Sequence, residues 1–300
     1  MRSLKRELPL HFMMVPGVII LLIFSYGPML GLVMAFQNFS PSKGFLHSEW
    51  VGLANFKYVL GLPNFWEVIR NTLLISVLKI IGSILVPVIV TLLLNELRHS
   101  GLKRSVQTVV YFPHFLSWII LSGILIDFLS PSEGIVNKFL TVFGIQPVYF
   151  LGDKLWFPAT MVLTEIWKEF GYGTIIYLAA LTAIDPTLYE SAKMDGAGHM
   201  RQVWHITLPG LKPTILLMTV LALGTILNAG TNGFEQIFNM YSPQVYKTGD
   251  IIDTLVYRLG LGGAQFSVAT AIGMFKSVIS FVLMTLGYYI AKKTAGYQIL

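Results

Sequence analysis

Cysteine is absent from the 300 residues, so the chain forms no disulfide, no thiolate metal site and no cysteine nucleophile, and cysteine usage leaves the redox compartment open. Charge is scarce. Asp, Glu, Lys and Arg make up 12% of the residues, where soluble domains carry about 25%. The pattern G-x-x-x-x-G-K-[ST] occurs nowhere, so the chain cannot cradle ATP phosphates by itself. Gly171-Tyr172-Gly173 and Gly196-Ala197-Gly198 lack the strand–turn–helix setting of a dinucleotide site. His11, His47, His114, His199 and His205 show no metal-ligand spacing. From these absences we expect no catalytic residues, no metal and no cofactor bound by this chain.

Apolar sequence fills the gap. Hydrophobic residues reach 54% and the mean hydropathy is +0.68, which predicts an all-α membrane protein crossing the bilayer several times. Six apolar runs, at about 12–36, 72–94, 106–129, 155–181, 213–234 and 268–292, each reach the roughly 20 residues needed to cross the hydrocarbon core. Arg2, Lys5 and Arg6 precede the first run, but the run is too long for a signal peptide and no small-residue cleavage site follows; an uncleaved first span is expected. The whole chain, 1–300, then forms one transmembrane domain with six transmembrane helices.

The formal charge of +6 is distributed unevenly. With the N-terminus inside, eleven basic residues fall on inner segments (Arg2, Lys5, Arg6, Arg98, Lys103, Arg104, Lys193, Arg201, Lys212, Lys292 and Lys293), seven on outer loops, and Lys79, Lys168 and Lys276 within spans. The positive-inside rule therefore places both termini and the 185–213 loop in the cytoplasm, and makes a basic excess a topological signal rather than a nucleic-acid footprint. Apolar residues at helical spacing in the first outer loop (Leu53, Phe56, Val59 and Leu60; then Phe65, Trp66 and Ile69) predict short helices lying on the outer surface or docking a soluble partner.

Several polar residues sit where they are costly. Glu165, Trp167, Lys168 and Glu169 share one turn of the fourth run, and Asn228, Thr231, Asn232, Phe234 and Glu235 end the fifth. A charge at mid-span costs roughly 2.5–3.5 kcal/mol on insertion scales, so each should face a cavity or an opposite charge. One reading is a hydrophilic translocation path, with the Trp167 ring against the C–H face of a sugar and Lys168 available to a carboxylate. The other is structural pairing of Glu165 or Glu169 with Lys168.

The most distinctive polar interval is Asp185–Pro213, DPTLYESAKMDGAGHMRQVWHITLPGLKP. Asp185 and Pro186 predict a helix start, Gly196 and Gly198 a break, and Met200–Leu208 a second helix ended by Pro209-Gly210. Glu190-Ser191-Ala192, three residues, Gly196, nine residues, then Ile206-Thr207-Leu208-Pro209 resembles the EAA loop of the membrane subunits of binding-protein-dependent ABC importers, with Ser191 at a position that is usually Ala. Tyr26-Gly27-Pro28-Met29, Trp50-Val51-Gly52-Leu53, Asn71-Thr72-Leu73, Phe234-Glu235-Gln236-Ile237-Phe238 and Gly249-Asp250-Ile251-Ile252-Asp253-Thr254 look like the oligosaccharide branch of the maltose-type sugar permeases, the part of it serving products of polysaccharide breakdown.

That resemblance implies a type I importer permease fold in a prokaryotic cell membrane. It implies transport of an oligosaccharide, with acidic character possible. It implies four kinds of partner: a second homologous permease, two ATPase subunits carrying the ATP and Mg, an extracytoplasmic solute-binding protein, and membrane lipid. It assigns Glu190, Ser191, Ala192, Asp195, Gly196, Ile206, Leu208 and Pro209 to the contact with the ATPase. A secondary transporter would share the spans and buried charges but not the EAA spacing, and no internal repeat is found. A membrane-embedded enzyme would need a nucleophile, base or metal cluster in the spans.

Overall fold

A computed structural model describes residues 2–97, 99–230 and 233–295. Arg98, in the inner charge set, and Thr231 and Asn232, at the end of the fifth run, lie outside the described residues. The chain divides into two compact units, Met1–Pro63 with Val256–Phe275, and Asn64–Leu255 with Lys276–Leu300.

The first unit begins with helix α1 (Arg2–Leu21), continued by a π turn (Leu22–Tyr26) and a 3-10 stretch (Gly27–Phe36). Strands β1 (Gln37–Asn38) and β2 (Glu49–Trp50) pair antiparallel around helix α2 (Gly44–His47), and helix α3 (Ala54–Leu60) follows. Phe36 is the anchor here: its ring stacks on Trp50 at 5.7 Å and tilts against Phe56 at 5.3 Å. The Asn55 amide donates to the carbonyls of Ala35 and Gln37, both at 2.9 Å, so the end of the first span and the Trp50-Val51-Gly52-Leu53 motif fold as one piece.

The regular elements among the second unit's described residues are all helices: α4 (Phe65–Glu96), α5 (Ser100–Tyr111), α6 (Trp118–Phe128), α7 (Ile135–Val142), α8 (Trp156–Thr182), α9 (Pro186–Met194), α10 (His199–Gln202), α11 (Leu208–Gly224), α12 (Gly233–Met240), α13 (Tyr246–Gly249) and the start of α14 (Ile252–Tyr257), whose last two residues belong to the first unit. Helix α15 (Phe266–Ala295) starts in the first unit and ends in the second. The core lies between α4, α6, α8 and α12, on Ile75, Trp118, Leu121, Phe157, Met161 and Ile237. Two of the motifs noted above meet here. The Asn71 amide donates to the carbonyls of Lys247 and Asp250, and the Ile252 N–H donates to the Thr72 hydroxyl at 3.0 Å.

Among the described residues four helices are long and apolar enough to cross a membrane: Leu10–Phe36, Phe65–Glu96, His199–Gly224 and Phe266–Tyr289. Ser100–Phe115 with Trp118–Phe128, bent by 102° at its break, makes a fifth when the pair is taken as one span. Helix α8 is of comparable length, 27 residues or roughly 40 Å at 1.5 Å per residue, but it carries Glu165, Lys168 and Glu169 in its middle and is not among these apolar helices.

The helices depart from what the sequence predicts at three places. The third run, 106–129, is not one straight helix. Pro113 falls in a 3-10 turn (Phe112–Phe115), and the Ser117 hydroxyl caps a new helix by accepting from the Ile120 N–H. The fifth run, 213–234, breaks after Gly224; Ala229 takes a left-handed conformation at φ 53° and Gly230 follows at φ 103°. Conversely, Pro209-Gly210 ends nothing: the helix from His199 runs unbroken to Gly224. A π turn over Val203–Thr207 widens the helix just before Pro209, which relieves the clash a proline ring makes with the preceding turn.

Candidate functional site

The costly charges of α8 resolve into two buried knots. In the first, Lys79 from the middle of α4 reaches Glu165: Nζ donates to Glu165 Oε2 at 2.6 Å, to the Ala229 carbonyl at 2.8 Å, and to Gln236 Oε1. An ammonium has three donors, and all three are used. Gln236 is held in turn, its amide donating to the Met161 carbonyl at 2.8 Å and to the Thr164 hydroxyl at 2.9 Å. Both charged side chains are nearly inaccessible, at 3% and 8% exposure. Taking an ion out of water costs several kcal/mol, and only full pairing of this kind offsets it. A side chain at Gly230 would collide with Glu165, since a Cβ there would stand 2.3 Å from Oε1.

The second knot lies one turn further along α8. Lys168 donates to Glu169 Oε1 at 2.8 Å and to the His114 carbonyl at 3.0 Å, with its ammonium 5.6 Å from the centre of the Trp118 ring. His114 Nδ1 lies 2.7 Å from Glu169 Oε2, and the imidazole stacks on Tyr172 at 4.2 Å.

The two knots share a logic. Ala229 lies in the break of the fifth span and His114 in the break of the third. Backbone that leaves the helical ladder inside a membrane needs new partners, and at each break a buried lysine supplies one while a glutamate of α8 neutralises that lysine. The segments that follow the two breaks, α6 and α12, pack against each other.

Between the knots opens a cavity of about 320 Å³. Lys79, Glu165, His114, Glu169 and Tyr172 provide its polar wall, and Ile80, Ile166, Met218 and Leu221 its apolar one. Of the residues singled out for the translocation path, Glu165 and Glu169 line this space. Lys168 stands behind it, buried against Trp118. Trp167 faces the other way, 46% exposed, in an apolar groove with Leu121, Ile124, Phe128 and Leu163. Phe234 stacks on Phe238 at 5.2 Å, Asn228 is half-buried, and Glu235 is exposed on α12. The sequence reading missed His114, Tyr172 and Gln236 as members of the site, and missed Lys79 as the partner of Glu165. Lys276 pairs with Asp253 and contributes nothing to the cavity wall.

The Asp185–Pro213 interval folds as α9, a glycine turn and the start of the His199–Gly224 helix. The Thr187 N–H donates to the Asp185 carboxylate at 2.9 Å, starting α9 and holding that carboxyl below its usual pKa. Gly196, at φ 71°, turns the chain, and the Ala197 N–H closes on the Ala192 carbonyl at 2.8 Å. The Gln202 amide then donates to the Ala197 carbonyl at 2.9 Å, and Tyr189 OH meets the Thr207 hydroxyl at 3.0 Å, fastening α9 to the base of the fifth span. Glu190, Ser191, Asp195 and Gly196 are exposed along with Leu188, Met194 and Met200, while Ala192, Ile206 and Leu208 are half-buried and Pro209 exposed.

Comparison with known proteins agrees with this geometry. Residues 12–296 match the family described as binding-protein-dependent transport system inner membrane component. Protein LplB of Bacillus subtilis (strain 168) is 42% identical over 293 residues, covering 98% of this chain and 91% of that one. The polygalacturonan/rhamnogalacturonan transport system permease protein YteP of the same organism is 43% identical over 284 residues, covering 95% and 88%. A crystal structure of a bacterial ABC transporter involved in the import of the acidic polysaccharide alginate superposes with a TM-score of 0.90 at 40% identity, covering 98% of both chains. The chain belongs to the binding-protein-dependent transport system inner membrane components, the permease subunits of ABC importers, and is a transport subunit rather than an enzyme.

Proposed function

We propose that this chain is one of two homologous permease halves of an ATP-driven importer that takes an acidic oligosaccharide from an extracytoplasmic binding protein. The observation that carries this reading is the match over 98% of the chain to a transporter of the acidic polysaccharide alginate, at a TM-score of 0.90. A second structure of an alginate transporter, in complex with a pentasaccharide-bound periplasmic protein, matches over 99% of the chain and supports delivery by such a protein. The half-site described above fits the role. Its wall holds two carboxylates, Glu165 and Glu169, but each is paired with a lysine, so a passing carboxylate meets no net negative charge. With both lysines spent on the pairing, acidic specificity falls to the binding protein and the partner permease.

The driving subunits are separate. Two ATPase chains, holding ATP and Mg, grip the Asp185–Pro213 loop through Glu190, Ser191, Ala192, Asp195 and Gly196, while Ile206, Leu208 and Pro209 seat the loop on the fifth span. Both termini lie in the cytoplasm. An introduced cysteine at Arg201, the only one in the chain, is expected to react with an impermeant maleimide from the cytoplasmic side alone; labelling from outside overturns the orientation.

The charge reading has its own test. In proteoliposomes containing the whole importer, Lys168→Met is expected to reduce uptake of an acidic and a neutral oligosaccharide of equal length by the same factor. A loss at least tenfold larger for the acidic one would return Lys168 to the solute path.

A further inference from the structure

Helix α7 presents three different faces. Ile135, Phe139 and Val142, with Phe143 just beyond its end, form an unbroken apolar stripe that is 62–80% exposed. Val136, Asn137 and Leu140 turn inward to the protein, and Lys138 and Thr141 lie exposed on the third side. The helix is fixed in place despite being short. The Asn137 amide donates to the carbonyls of Leu129, Ser130 and Val148, and its oxygen accepts the Val148 N–H at 2.7 Å. Its end is closed by the Gly144 N–H on the Thr141 carbonyl and the Ile145 N–H on the Leu140 carbonyl. Phe139 and Phe143 meet edge to face at 5.0 Å.

We infer that α7 is an interfacial helix that sets its Ile135–Phe139–Val142–Phe143 stripe into the outer leaflet, a lipid surface being its partner. The argument is continuity. Asn137 ties α7 directly to the turn that ends α6, whose Ile119, Ile120 and Phe128 are exposed apolar residues of a membrane-crossing segment. The next long helix, α8, opens on exposed Trp156, a residue type that marks the headgroup level. The stripe contains no polar atom beyond the backbone, and a lipid-facing stripe, a protein-facing side and a charged or hydroxyl-bearing water side are what an in-plane helix needs; such helices bury their apolar face by about 5–10 Å. Hot spots of protein interfaces are enriched in Tyr, Trp and Arg, and the stripe contains none of these three. The inference leans on the proposed orientation only in naming the leaflet.

The cysteine-free chain permits a direct test. Single cysteines at Phe139, Val142 and Thr141, with Ile119 as the lipid-facing reference, are spin-labelled in the complete importer in bilayers, and collision with oxygen is compared with collision with a water-soluble nickel chelate. Labels at Phe139 and Val142 are expected to favour oxygen, with a ratio within about threefold of Ile119, and the label at Thr141 to favour nickel. Nickel preference at Phe139 and Val142 overturns the inference by placing the stripe in water. Low access to both reagents with immobilised spectra overturns it by placing a protein partner there.

Discussion

Lys79→Met is expected to cripple the importer, and Lys79→Met with Glu165→Met to recover most of the lost stability. Removing one member of a buried ion pair strands the other without solvent, at about 3–5 kcal/mol, whereas replacing both with apolar residues of similar size is often close to neutral. Methionine keeps the length and apolar stem of the lysine, so the effect reports the charge and its three hydrogen bonds. Read as the unfolding midpoint of the purified complex by tryptophan fluorescence, the single variant should fall far below wild type and the double variant should lie between them. Transport should remain low in both. Neither variant supplies a donor to the Ala229 carbonyl or to Gln236, so the break of the fifth span stays unpinned. Strictly additive losses in the two single variants and the double would show that the pair is not coupled. A pair this inaccessible differs in kind from exposed ion pairs, whose worth is about 0–1 kcal/mol.

Glu190→Lys is expected to abolish transport with almost no change in the fold. Glu190 is exposed on α9, a helix with no buried residue, and surface substitutions of that kind shift stability within about 0.5 kcal/mol. The loss should therefore appear as uptake reduced at least tenfold, with normal insertion and normal pairing to the second permease. Gly196→Asp should act on the same function by a different route: any side chain there must hold φ at 71°, a left-handed conformation costing roughly 1–2 kcal/mol for most residues. Normal uptake by Glu190→Lys in a normally assembled complex would move the coupling contact off α9.

The long apolar helices and the turn after α9 were legible because each rests on local pattern: length of apolar run, capping residue and glycine break. The breaks were partly written in the sequence as well. Pro113 and Ser117 stand inside the third run, and Gly224 and Gly230 inside the fifth, but apolar residues on both sides hide the interruption when hydropathy alone is followed. Helical periodicity could have placed Trp167. It stands two residues from both Glu165 and Glu169 and so points away from the face they share. The knots were not legible, because each joins residues distant in sequence: Lys79 lies 86 residues from Glu165 and 157 from Gln236, and His114 lies 55 from Glu169. Sequence showed that such charges were costly. Only the fold could show which partner met the cost. Pro209 misled for the opposite reason, since a widened turn can carry a helix past a proline that local rules treat as a stop.

Reconstitution is the most direct test of ATP-driven import through this chain. This chain is placed in proteoliposomes with and without the homologous permease, the ATPase subunits and the oligosaccharide-loaded binding protein, and uptake of labelled acidic oligosaccharide is followed on adding ATP inside the ATPase-facing compartment. The account predicts uptake only when all components and ATP are present, and none when the chain carries Glu190→Lys. Uptake by this chain alone, or uptake that continues without ATP, would contradict it.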